Sequence, residues 1–361
     1  MKKTIFFTVT NDLSYDQRMH RICNSLAENG YDVLLIGRQL KSSLAPEKKN
    51  YRQTRLKLFF SKGKLFYLEY NFRLLIYLLF NKFDIICSID LDTILPGLVA
   101  SKIKGTQRVY DAHELFTELK EVQTNPLSSG VWSFVEKIAV PRFKNGYTVC
   151  ESIAAELNLR HGVTYKTIRN LPLRSPASES IVPGKKFIYT GAVNEARGFE
   201  VLIPAMRYVN YPLVICGDGN FMREALELTK KHGVSEKIIF KGMLHPQQLR
   251  KELASAYIGL NLVENTGLNQ YYSLANKFFD YIQSGVPQIS MNFPEYKRIN
   301  DQFQVALLIE DLKVQSVADA MNKLVEDFVL YENLKRNCLK AREELIWENE
   351  ANKLLSFYDT L

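Results

Sequence analysis

Cysteine is scarce and widely spaced. The 361-residue chain has five, at Cys23, Cys87, Cys150, Cys216 and Cys338, and no two form a CxxC pair. Most sit in apolar strand-like or helix-like runs. That is how buried thiols are used in a reducing compartment, and it excludes a disulfide framework and argues against a zinc site. Long apolar runs are also lacking. The longest, Leu74 to Phe80, is far short of the ~20 residues that span a bilayer. The opening MKKTIFFTVTND is read as a first strand rather than a signal peptide, because Asn11 and Asp12 end its apolar run early. His113-Glu114 does not extend to HExxH, since position 117 is Thr117, so no metalloprotease site is implied. Gly217-Asp218-Gly219 lacks the third glycine of a dinucleotide fingerprint, the position being Met222. Asp90-Leu91-Asp92 has no glycine or third carboxylate nearby. It is read as a helix cap, and no metal is expected. No nucleic-acid-binding motif and no short-period repeat is present.

What is present is a strand–helix alternation, met twice. Apolar strand-like runs at Thr4–Thr10, Asp32–Gly37, Phe83–Ile89, Gln107–Tyr110 and Tyr147–Cys150 are separated by helix-like runs. The helix after the first strand carries Met19, Ile22, Cys23 and Leu26 on one face, at the i, i+3, i+4, i+7 spacing that packs on a sheet. Near Leu171 the composition turns to LPLRSPASESIVPGKK, read as an exposed linker. The alternation then restarts at Phe187–Tyr189, Leu213–Cys216, Ile238–Phe240, Ile258–Val263, Gln288–Met291 and Ala306–Ile309. Two α/β domains with parallel, doubly wound sheets follow from this order.

Charge is localised. The chain carries +8, yet Arg38 to Lys82 holds eleven Lys/Arg against two Glu, leaving about −1 for the rest. Aromatic and basic residues interleave there, a pattern that suits an anionic membrane surface. Within it, Leu65 to Phe80 is almost wholly apolar with Glu69 and Arg73 at i, i+4, and reads first as a buried helix with one ion pair.

Ligands of open parallel sheets bind beyond the carboxyl ends of the strands. Gly191 and Ala192, and then Gly217 and Gly219, follow two such ends. There a glycine turn and the next helix start suit a phosphate. In the first half, Asn11, Asp12, Tyr15, Asp16, Arg18 and His20 crowd one strand–helix junction. His113 follows a strand beside Asp111 and Glu114.

These pieces, with the TNDLSYDQRMHRI and YDAHE segments, KGMLHPQQLRKELASA and NKFFDYIQSGVPQI, resemble the retaining GT-B glycosyltransferases of family 4, of the bacterial cell-surface polysaccharide type. The resemblance covers nearly the whole chain. It implies two Rossmann-like domains facing across a cleft, with residues 1–172 taking the acceptor and 183–343 the donor, and a C-terminal helix about 344–361 packing back on the first. It implies a nucleotide-diphosphate sugar, of UDP or GDP type, held by Gly191, Ala192, Arg197, Gly217, Gly219, Glu264, Ser273, Asn276, Lys277 and Asp280. It assigns catalysis to His113, Arg197 and Lys277, and a glycan or lipid-linked acceptor to Asn11, Asp12, Tyr15, Arg18, His113 and Glu114. No cofactor is implied. The expected location is cytoplasmic, at most peripheral on the inner face of the membrane.

The sequence departs from the family pattern. Ala192 stands where an arginine is usual, Arg197 where a lysine is, Tyr272 at the first glutamate and Asp280 at the second. Glu264 or backbone groups from Ser273 to Lys277 take the first glutamate's role, and Lys277 is the candidate replacement for the missing arginine. A sugar-nucleotide epimerase or an inactive nucleotide-binding scaffold remain the alternative readings.

Overall fold

The computed structural model describes residues 2–14, 16–45, 47–174 and 184–361. Most of the segment read as a linker, 175–183, therefore lies outside the described residues. The chain forms two compact units, Met1–Asn170 with Glu350–Leu361, and Leu171–Asn349.

The first unit runs β1 (Thr4–Asp12), α1 (Gln17–Glu28), β2 (Asp32–Arg38), β3 (Arg52–Leu56), α2 (Gly63–Phe80), β4 (Ile85–Ile89), α3 (Ile94–Lys104) and β5 (Gln107–Ala112). It continues with α4 (Lys120–Gln123), α5 (Pro126–Ala139), β6 (Asn145–Thr148), α6 (Glu151–His161) and β7 (Lys166–Thr167). All seven strands are parallel, in the order β3-β2-β1-β4-β5-β6-β7. A parallel sheet is covered on both faces, so its inner strands read as continuous apolar runs. β4, Ile-Ile-Cys-Ser-Ile, is buried at every position. α1 starts where Asp16 accepts from the Met19 N–H, and it buries Met19, Ile22, Cys23 and Leu26. α5 starts at Pro126, with Asn125 accepting from the Ser128 N–H.

The second unit runs β8 (Phe187–Thr190), α7 (Phe199–Ala205), β9 (Leu213–Cys216), α8 (Met222–Lys231), β10 (Ile238–Gly242), α9 (Pro246–Ala254) and β11 (Ile258–Asn261). Then come α10 (Leu268–Tyr271), α11 (Asn276–Gln283), β12 (Gln288–Met291), α12 (Pro294–Phe303), β13 (Ala306–Ile309), α13 (Val314–Glu326) and α14 (Phe328–Ala341). Its six strands are also parallel, in the order β10-β9-β8-β11-β12-β13. The last helix, α15 (Trp347–Asp359), sets Tyr358 against Phe7 and Tyr147, and its Asp359 accepts from the Tyr31 hydroxyl.

The strand order of each sheet reverses once, between β1 and β4 in the first unit and between β8 and β11 in the second. Those reversals are the points where open α/β sheets take ligands.

Three expectations need correction. Asp90 and Asp92 do not cap a helix: neither Asp90 nor Thr93 makes a side-chain cap bond. The helix α2 is not buried all round. Phe66, Tyr70, Leu74 and Leu78 pack on the sheet, while Leu68, Phe72, Ile76 and Phe80 are exposed. The basic stretch before it contains an edge strand, β3, which its sequence did not show.

Candidate active site

At the reversal of the first sheet, side chains from β1, β4, β5 and α1 converge. Asp111 and His113 are two residues apart at the end of β5, so in an extended chain they share a side. His113 Nε2 lies 3.1 Å from Asp111 Oδ2 and 3.1 Å from Arg18 Nε. One nitrogen cannot donate to the carboxylate and accept from the guanidinium together, so protonation decides which bond forms. Burial disfavours the charged ring, but Asp111 and Asp90 outweigh it and raise the His113 pKa to about 9. At neutral pH the ring is thus a cation that donates Nε2–H to Asp111. Its Nδ1 is 3.8 Å from Asp90 Oδ2, beyond hydrogen-bond reach, and is left to donate elsewhere.

Arg18 was expected to meet an acceptor. It is instead 4 % exposed, with Nη2 donating to Asp111 Oδ1 at 2.9 Å and Nη1 to the Ile168 carbonyl at 3.0 Å. It supports His113 from beneath. Burial opposes charge on Asp111, yet Arg18 and His113 hold its carboxyl below the usual range.

Asp90 has φ +53°, a strained conformation for a residue with a side chain. There its Oδ1 accepts the His113 N–H at 2.8 Å, and its own N–H donates to the Asp111 carbonyl at 3.0 Å. Burial pushes its carboxyl up, and Glu114 and Asp92 add to this against His113. Its side chain keeps 18 % exposure, which limits that push. Asp92 accepts from the Thr10 hydroxyl at 2.5 Å, and burial raises it to about 6. Both carboxylates of the Asp90-x-Asp92 pair are therefore engaged by the protein.

The remaining residues expected at the acceptor end lie on the same rim. Asn11 is exposed and donates toward Asp16 at 3.4 Å. Asp12 accepts from the Ser14 N–H and hydroxyl, closing a turn. Glu114 is half-buried and acts electrostatically on Asp90 and Asp92. Tyr15 lies outside the described residues.

In the second unit, Gly191 follows β8 with φ +108°. Lys277, in the first turn of α11, places Nζ 3.8 Å from where a Gly191 Cβ would be and 3.4 Å from the centre of the Tyr189 ring. Burial lowers its pKa well below the ordinary value, and Arg197 lowers it further against a weaker pull from Asp280. Neither Arg197 nor Lys277 makes an ion pair among the described residues. Two half-buried cations thus repel one another at the end of β8. Beside them, among the described residues, the first turn of α11 has no side-chain cap and the buried Thr190 hydroxyl has no hydrogen-bond partner. The arrangement suits an anion with several oxygens.

The glycines of the next loop also meet a packing demand. A Cβ on Gly217 would fall 1.8 Å from the Gly191 carbonyl oxygen, and one on Gly219 2.3 Å from that of Val193. Both let the β9–α8 loop lie against the β8–α7 loop, which the Val193 N–H to Asp218 carbonyl bond fastens at 3.0 Å. Glu264 follows β11, and its N–H donates to the Ala196 carbonyl at 3.2 Å. Ala192 is exposed beside Gly191. The Ser273 hydroxyl is 3.4 Å from that of Tyr296, and Asn276 and Asp280 lie on α11 with Lys277. Sequence reasoning missed Thr190 and the Asp90 clamp. The Asp90 clamp had no local signal, because its partner is 23 residues away.

The family model for Glycosyltransferase Family 4 matches residues 17–172, and that for Glycosyl transferases group 1 matches residues 184–327. An uncharacterized glycosyltransferase of Methanocaldococcus jannaschii is 25% identical over 182 residues, 48% of this chain. The match spans 44% of that relative's length. Sucrose-phosphate synthase from Thermosynechococcus elongatus superposes with a TM-score of 0.80 at 15% identity, over 99% of both chains. The HepE protein of Anabaena, in complex with UDP-glucose, gives 0.75 at 12% identity over 99% of this chain and 100% of its own. At such identities the structural likeness establishes the fold, and the two family models between them cover most of the sequence. The chain belongs to the glycosyltransferases of GT-B fold and family 4 type.

Proposed function

We propose that this chain transfers a sugar from a nucleotide-diphosphate sugar, of UDP or GDP type, to a hydroxyl of a glycan or lipid-linked acceptor, with retention and without a metal. The observation that carries the reading is the couple Arg197 and Lys277 at the reversal of the second sheet, neither in an ion pair among the described residues. Breaking the anomeric bond leaves a diphosphate, so the main task is to stabilise departing negative charge. Arg197 can bind it bidentately, and Lys277 adds a point charge. Two cations that repel each other gain most when an anion arrives. The complex of HepE with UDP-glucose supports a donor of this class.

On the acceptor side, a His113 held protonated to about pH 9 is a donor at neutral pH and not a base. That fits a reaction in which the leaving diphosphate itself takes the acceptor proton, while His113 Nδ1–H orients a sugar hydroxyl. The basic segment 38–82 is read as the part that brings the enzyme to an anionic membrane surface, on the cytoplasmic side. The test is product analysis. The chain is incubated with labelled UDP- and GDP-sugars and a panel of glycan and polyprenyl-linked acceptors, and the product anomer is read by NMR. Retained configuration in a new glycoside is expected. Inverted product would overturn retention. An epimerised donor formed without acceptor, or binding without turnover across the panel, would move the chain to the epimerase or scaffold reading.

A further inference from the structure

The helices α2, α3 and α5 lie side by side on one face of the first sheet. Each buries one side and leaves an apolar row exposed. On α2 the row is Leu68, Phe72 and Ile76, spaced i, i+4, i+8. On α3 it is Leu95, Val99 and Ile103, at the same spacing. On α5 it is Leu127, Val131 and Phe134. With a rise of about 1.5 Å per residue and neighbouring helices ~10 Å apart, the rows make a face on the order of 400 Å². A patch of that size is typical of the largest that a monomer exposes, and is often functional.

The charge around the face says what covers it. All three helices run against the strands, so their C-terminal ends share one edge, where Lys82, Lys102, Lys104 and Lys137 stand. Lys62 and Lys64 stand at the opposite end of α2. The three helices contain two carboxylates, and both are tied inside the protein. Glu69 accepts from the Phe59 and Phe60 N–H groups and from Arg73, and Glu136 from Thr117. The face is thus apolar in the middle and cationic at its edges. A second copy of the same face would bring lysines against lysines.

We propose that the α2–α3–α5 face docks on a lipid bilayer with anionic headgroups, the three rows entering the interface and the lysines meeting lipid phosphates. This deepens the reading of a membrane-borne acceptor, and rests on it for its purpose, but it relocates the contact. Within the basic segment 38–82, Arg52 is tied to Asp32 and Arg55 to the Leu44 carbonyl, so these two charges are engaged by the protein. The docking face lies largely C-terminal to them, and two of its three helices lie outside that segment.

The test uses the intact chain and vesicles of phosphatidylcholine, with or without phosphatidylglycerol. The wild type is expected to co-sediment with the anionic vesicles only, and less at high salt. Replacing Phe72, Val99 and Val131 together by Ser removes exposed apolar atoms and should lower partitioning at least about tenfold. Reversing Lys82, Lys102 and Lys137 to Glu should do the same. The melting-temperature shift caused by UDP- or GDP-sugar is measured on every variant. If it survives while vesicle binding falls, docking and donor binding are separate. Wild type that ignores anionic vesicles, or variants that bind them as well as wild type, would overturn the proposal. So would a wild-type dimer that the Ser variant converts to monomer, since a second copy then covers the face.

Discussion

Replacing Asp111 by Asn keeps the shape of the side chain and removes its charge. Asp111 is fully buried between Arg18 Nη2 at 2.9 Å and His113 Nε2 at 3.1 Å. Without it, Arg18 Nε and His113 Nε2, 3.1 Å apart, cannot both be cationic donors. The ring should lose its proton and accept from the guanidinium instead. Its pKa should fall from about 9 to or below the ordinary 6.5, and at about 1.36 kcal/mol per unit this is on the order of 3 kcal/mol. Removing one member of a buried ion pair costs a similar ~3–5 kcal/mol. The sign with pH follows. His113 is raised in the folded state, so its contribution is whole below pH 6.5 and is lost as pH rises through about 9. The gap between wild type and variant should therefore narrow as pH rises through that window. Two measurements check this: an NMR titration of the His113 ring, assigned with His113→Gln, and urea unfolding followed by Trp132 in a Trp347→Phe background, which reports the first unit. A D111N ring that still titrates near 9, or a stability loss within about 0.5 kcal/mol, would refute the reasoning.

Lys277→Met should weaken donor binding yet raise the melting temperature of the ligand-free protein, because burial and Arg197 both disfavour the charged form of Lys277. For a lysine with a lowered pKa, stability rises with pH through the folded value, and donor binding above that value should take up a proton. Calorimetry in buffers of different ionisation enthalpy reads this, and proton-neutral binding would count against it. Transfer activity should persist in EDTA, since Asp90 and Asp92 already accept from His113 and Thr10; loss restored by manganese or magnesium would overturn that. Gly217→Ala should cost about 2–4 kcal/mol from backbone collision and strain. Gly130→Ala in α5, with open space at its Cβ, should gain about 0.5–1 kcal/mol, and urea midpoints compare the two.

The inner strands were legible because burial on both faces demands apolar runs, and β9 and β12 fall where the sequence put them. The edge strand β3, Arg-Gln-Thr-Arg-Leu, was not legible. One side of it meets solvent, and its Arg52 is held by Asp32 rather than by a core. His113 could be picked out because Asp111 and Glu114 are its neighbours in sequence. The burial of Arg18 could not, because its partner Asp111 is 93 residues away. The Gly217–Gly219 turn was read as a phosphate contact; the close approach of two loops, which also demands these glycines, could not be read from the sequence. In α2, apolar residues on both sides left the sequence unable to say which side faces the sheet.

The central claim is that Arg197 and Lys277 form the diphosphate site, and calorimetric titration of the intact chain with UDP, GDP and their sugars tests it most directly. At least one nucleotide sugar should bind. Arg197→Ala should weaken it by about 2–4 kcal/mol, and combining this with Lys277→Met should abolish it while the protein stays folded. A double variant that binds nucleotide sugar as tightly as the wild type would contradict the claim.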